Sequence, residues 1–180
     1  MEYNRKASDG TTYNNGCGIC MIPKTGVTKA AWNSVNTVTG GYKSSTIHTS
    51  TLPSIVTKLQ TVLGSHLINR NVLLSSNVNG NCSSSAYKWT TSYATLMSVG
   101  QMTGTFASHN NKYDDGEANY KLPLFNYVDY KPDDSSILTR CICKFVNPNY
   151  YAWSIDINGS LSGFYVCSSA GYIRPLIYLR

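Results

Sequence analysis

Only one stretch of this chain carries a long helical rhythm, residues 51–64, TLPSIVTKLQTVLG. Leu52, Ile55, Val56, Leu59, Val62 and Leu63 fall on one stripe at the spacing of an amphipathic helix. Thr49, Ser50 and Thr51 offer N-caps, Pro53 fits the first turn, and Gly64 can end the helix. A stripe of this kind packs on a core. Elsewhere the apolar runs are short and broken by Ser, Asn and Gly, so the rest of the chain can supply only short strands, turns and one brief helix. The expectation is a single α+β domain over residues 1–180.

Several shorter signals fill in the rest. Trp32 reads as a core aromatic and Gly40-Gly41 as a break. Residues 71–74, NVLL, read as a strand, and WTTSYATLMSV as a strand leading into a short helix near 96–102. Leu122, Leu124 and Phe125 should dock in the core. From Ile137 onward the pattern suggests antiparallel strands: ILTRCICKFV, then YYAWSIDI, a turn at Asn158-Gly159, then a return to YIRPLIYL. Trp32, Leu52, Ile55, Leu59, Leu63, Leu124, Phe125 and Trp153 form the expected core.

Charge narrows the function classes. Only 13% of residues are charged, about half the usual share for soluble domains. Polarity comes instead from Ser, Thr, Asn, Gly and 14 tyrosines, a balance that suits an extracellular or loop-rich binding protein. The net charge of +6 is scattered over Lys43, Lys58, Lys88, Lys112, Lys121 and Lys131, with no basic track for a phosphate backbone, so nucleic acid is not an expected partner. No apolar stretch approaches membrane-spanning length, so no membrane insertion is expected, and the first residues lack the apolar core of a signal peptide.

The cysteines, at 17, 20, 82, 141, 143 and 167, match no disulfide framework. Thiols are the simplest reading; a disulfide, or zinc at Cys17-Gly18-Ile19-Cys20, are the alternatives. Nucleophile elbows, phosphate loops and HExxH are all lacking, and His48, His66 and His109 sit in unrelated contexts. Asp114-Asp115-Gly116-Glu117 lacks the further oxygen ligands of a calcium loop, and Asp133-Asp134 reads as a charged turn. No cofactor, no metal and no catalytic residue is expected.

The order of WNSVNTVTGGYKSS, TLPSIVTKLQTVLGSHL, LMSVGQMTG, ANYKLPLF and the closing LTRC…AWSIDINGS…GYIRPLIYL resembles one family. It is the C-terminal ligand-binding domain of tail-fibre-type proteins of phages and prophages, similar to the variable proteins of diversity-generating retroelements. The resemblance runs over residues 10–180, leaving 1–10 as a flexible lead-in. It implies a C-type-lectin-like fold of the formylglycine-generating-enzyme type. In this chain Leu138 stands where that family has Trp, and Cys141 where it has Ser.

The same resemblance implies that residues 138–175 are a variable binding segment on a fixed frame of Arg140, Trp153, Gly159, Arg174 and Pro175. The displayed face would hold Lys144, Phe145, Asn147, Asn149, Tyr150, Tyr151, Ser154, Asp156, Ser162, Phe164, Tyr165 and Ser168. Strand alternation, with Trp153 inward, favours Tyr150, Ser154 and Asp156 as outward-facing. Cys141, Cys143 and Cys167 would be chance products of diversification. From Cys141 to Tyr172 only Lys144 and Asp156 are charged while seven residues are aromatic, a mixture like that of antibody paratopes. The implied function is recognition of a bacterial surface protein or glycan from a virion tail fibre or a cell surface, with trimerisation through a parent fibre. A virion enzyme acting on glycan or cell wall, and a purely structural tail protein, are the alternatives.

Overall fold

The computed structural model describes residues 19–76, 87–104, 122–126, 136–142, 151–167 and 169–180. These residues form an α+β arrangement of three sheets and one long helix. The strands are β1 (Ile19–Met21), β2 (Thr28–Ala31), β3 (Arg70–Ser75), β4 (Tyr87–Ser92), β5 (Ala94–Leu96), β6 (Ile137–Ile142), β7 (Tyr151–Ile155), β8 (Leu161–Tyr165), β9 (Ala170–Ile173) and β10 (Pro175–Leu179). The helices are α1 (Leu52–Leu63) and α2 (Val99–Thr103).

A five-stranded sheet in the order β2-β9-β6-β7-β8 dominates, beside a three-stranded sheet β1-β10-β5 and the antiparallel pair β3-β4. All pairings are antiparallel except β6 with β9. The expected single strand YIRPLIYL is in fact two, because the chain changes sheets at Arg174. β9 pairs with β2 and β6, whereas β10 pairs with β1 and β5. Pro175 opens β10, where its missing N–H costs no ladder bond, and the Arg174 side chain pins the corner by donating from Nε to the Pro23 carbonyl at 3.0 Å.

The long helix forms where its stripe places it, with Pro53 in its first turn. Its start differs. A π-helical turn over Ile47–Thr51 feeds directly into α1, so Thr49, Ser50 and Thr51 lie inside helical backbone and Thr51 makes no capping bond. The Thr49 hydroxyl instead donates to the Ser45 carbonyl. Gly64 ends α1 at φ 53°, as expected, its N–H reaching the Gln60 carbonyl.

The helix is also shallower than its stripe suggests. Leu52 is buried, but Ile55, Val56, Leu59 and Leu63 are half-buried, and Val62 is 81% exposed. α2, by contrast, is short and sunk in the core, with Val99, Gly100, Gln101 and Met102 all buried. The main core gathers Trp32, Tyr42, Leu74, Leu96, Met102 and Phe125 with residues of the large sheet.

Leu124 departs from expectation at 44% exposure, while Leu122 and Phe125 are buried. The 3-10 turn at Pro123–Asn126 explains this, because residues three apart share one side of such a turn. Gly41 is required by close approach. Its φ is 67°, and a Cβ there would meet the Ser75 carbonyl at 2.5 Å.

Candidate functional site

The region singled out by the resemblance centres on β6, β7 and β8. β6 enters it buried from Ile137 to Cys141. Its register with β7 slips: Leu138 pairs with Ser154 and Ile142 with Ala152, four steps on one strand against two on the other. Such a bulge leaves backbone groups without ladder partners, and they must be satisfied by other means.

Thr139 does so on the β7 side. Its hydroxyl donates to the Trp153 carbonyl at 2.8 Å and accepts the Cys141 N–H at 3.2 Å, while its own carbonyl accepts the Trp32 indole N–H at 3.1 Å. One threonine thus ties Trp32, β6 and β7 together. On the other side the Arg140 N–H reaches the Met97 carbonyl, and the Arg140 Nη1 donates to the Leu96 carbonyl at 3.0 Å and Gln101 Oε1 at 2.9 Å.

Gln101 is positioned by a reciprocal cap. The Ser98 hydroxyl accepts the Gln101 N–H, and Gln101 Oε1 accepts the Ser98 N–H. The Cys141 Sγ accepts the Val99 N–H at 3.4 Å. Beneath lies Tyr42, fully buried, whose hydroxyl accepts the Leu96 N–H at 2.8 Å. Burial holds its phenol well above the usual range, against the smaller opposing pulls of the Leu96 amide and the Arg140 charge. The ring is therefore a neutral, fixed strut.

β7 lies between β6 and β8 in the sheet, and Ala152, Trp153, Ser154 and Ile155 are all buried. Trp153 packs with Val99, Cys141 and Leu161 in a small cluster of its own, and its buried indole N–H has no hydrogen-bond partner. The expectation that Ser154 faces outward is overturned: it is 1% exposed, and its hydroxyl donates to the Ser162 carbonyl. Alternation predicts an outward face only for a strand with one side in solvent, and β7 is covered on both.

The β7–β8 turn also differs in form. The loop spans 156–160, and the strand that returns is β8. The Asp156 carboxylate accepts the N–H groups of Asn158 and Ser160, each at 2.9 Å, and Gly159 sits at φ 80°. Asp156 is half-buried and shapes this turn. β8 is the outer strand of its sheet in the described order, with Ser162 and Gly163 exposed and paired with Ser154 and Trp153.

The remaining expected face residues divide as follows. Lys144, Phe145, Asn147, Asn149, Tyr150 and Ser168 lie outside the described residues. Tyr151 opens β7, and Phe164 and Tyr165 close β8. Among the frame residues, Arg140, Trp153, Arg174 and Pro175 are buried and Gly159 supplies the turn. Cys141, expected as a chance product of diversification, is buried and its Sγ accepts a backbone N–H. Cys20, Cys141 and Cys167 are thiols; Cys17, Cys82 and Cys143 lie outside the described residues.

His66 bonds the Arg180 carbonyl through Nδ1 at 3.2 Å. Asp114, Asp115, Glu117, Asp133, Asp134 and His109 lie outside the described residues. No described helix is long and apolar enough to cross a membrane.

Sequence reasoning overlooked Thr139, Ser98, Gln101 and Tyr42. Ser98-Val99-Gly100-Gln101 has capping-box spacing and was legible; the Thr139 bridge follows from the bulge, which leaves no local mark. Comparison with protein-family models, with curated proteins and with solved structures finds no match to this chain.

Proposed function

We propose that this chain is a binding domain that recognises a bacterial cell-surface protein or glycan through a face built on the β7–β8 hairpin. This is the role, and the C-type-lectin-like fold, implied by its resemblance to tail-fibre-type and retroelement variable proteins. It performs no chemistry of its own. One observation carries the reading: within a single hairpin, β7 is buried on both faces while its partner β8 leaves Ser162 and Gly163 open at the outer edge. Substitutions on such an edge change what is displayed without disturbing what supports it. The low charge and high Tyr, Ser and Asn content of the segment suit adaptable contacts with varied targets.

Binding of the labelled domain to whole bacterial cells, compared between the parent chain and Ser162→Arg, tests this. The reading predicts at least about tenfold weaker binding, equivalent to about 1.4 kcal/mol, with an unchanged unfolding midpoint. Binding that survives every substitution on β8 would refute it. Release of soluble sugar or peptide from the cells would instead favour an enzyme.

A further inference from the structure

A cleft of about 350 Å³ lies between α1 and the β4–β5 corner, and it shares no residue with the β7–β8 face. That volume is within the range of small-molecule sites, about 300–1,000 Å³. One wall is apolar, made by Leu52, Pro53 and Val56 of the helix and Ala94 of β5. The rest is polar, and none of the lining side chains carries a fixed charge.

The hydrogen-bonding state of that polar wall is informative. Thr57 donates its hydroxyl proton to the Pro53 carbonyl at 3.0 Å, Thr91 to Asn71 Oδ1 at 2.8 Å, and Ser92 to the Ala94 carbonyl at 2.7 Å. Each hydroxyl hydrogen is therefore committed within the protein, and each oxygen keeps lone pairs for a visitor. Gln60 adds an amide able to accept and donate, and Tyr93 an aromatic ring with a hydroxyl.

His48 completes the lining. Burial, and to a lesser degree the charge of Lys43, hold its ring below the usual histidine range, so it is neutral at pH 7. Its Nδ1 is buried without a hydrogen-bond partner, and an orphaned acceptor is better tolerated there than an orphaned N–H. The neutral ring therefore offers one N–H donor and one acceptor nitrogen.

Toward a ligand the Thr57, Thr91 and Ser92 hydroxyls act as acceptors. With the Gln60 amide, the Tyr93 hydroxyl and the neutral His48 ring they suit an uncharged ligand that both donates and accepts through hydroxyl groups. An anion would find no cationic side chain in the lining, and a cation would find no carboxylate. The apolar wall and the Tyr93 ring ask for a C–H face on the same ligand. We propose that this cleft is a saccharide site that holds one neutral sugar unit between α1 and the β4–β5 corner. The proposal is independent of the β7–β8 face.

Saturation-transfer NMR on the intact chain, with glucose, galactose and N-acetylglucosamine as probes and glucuronate as the charged control, tests it. At least one neutral sugar should bind with millimolar affinity, as a single small unit does, and glucuronate should not compete. Gln60→Ala, on the exposed side of α1, should weaken that binding about fivefold or more with no change in unfolding midpoint, and Ser162→Arg should leave it intact. The proposal is overturned if none of the three neutral sugars binds, if glucuronate binds equally well, or if Gln60→Ala leaves affinity unchanged.

Discussion

β7 and β8 are adjacent strands of one hairpin, joined by five residues and paired from Tyr151↔Tyr165 to Ile155↔Leu161, yet they obey different rules. β7 is enclosed: Ala152 and Ile155 belong to the main core, Trp153 to the cluster with Val99 and Cys141, and even Ser154 is buried. β8 borders only β7 in the described sheet and exposes Ser162 and Gly163. Position in the sheet order, more than residue type, separates them. Ser154 and Ser162 are paired serines, and one is frame while the other is surface.

Substitutions should break or sharpen this contrast in proportion to how deeply they cut into β7. Trp153→Ala should cost about 3–5 kcal/mol in urea unfolding, because it empties the cluster beneath α2. Trp153→Phe should cost far less, about 1 kcal/mol or under, since it keeps an aromatic ring and removes the unpartnered indole N–H. Thr139→Val keeps the shape of the side chain but removes the hydroxyl bonded to the Trp153 carbonyl and the Cys141 N–H, so a loss of about 1–3 kcal/mol is expected. At the turn, Gly159→Ala forces a side chain into φ 80° and should cost about 1–2 kcal/mol, leaving both strands in register by amide exchange. A Trp153→Ala loss no larger than that of Gly159→Ala would mean that β7 is not the support described here.

Much of the scaffold was legible in the residues. The 51–64 stripe produced α1, NVLL produced β3, and the expected burial of Trp32, Phe125 and Trp153 is observed. Depth was not legible. An amphipathic stripe reports that one side of a helix is covered but not by how much, so α1 with its strong rhythm lies half-exposed. α2 is too short for a rhythm, yet it is buried, because its polar groups are matched internally through Ser98, Gln101 and Arg140.

The binding segment was harder still. Alternation along β7 supposes that one side meets solvent, and on that basis it misplaces Ser154. What covers both faces of β7 comes from elsewhere in the chain: Val99 packs with Trp153, while Ala152 and Ile155 join the main core with Trp32 and Tyr42. Asp156 looked like a displayed charge because the sequence does not reveal that its carboxylate is occupied by two backbone N–H groups of its own turn.

The same substitution made on each side of one strand pair puts the division between frame and face to its sharpest test. Urea unfolding of Ser154→Tyr and Ser162→Tyr compares two paired serines given an identical side chain. In the enclosed strand the added ring must overpack the core, and Ser154→Tyr should lose about 1–3 kcal/mol or fail to fold. At the open edge Ser162→Tyr should stay within about 0.5 kcal/mol of the parent chain. Equal losses at the two positions would contradict the account, because β8 would then be as much a part of the core as β7.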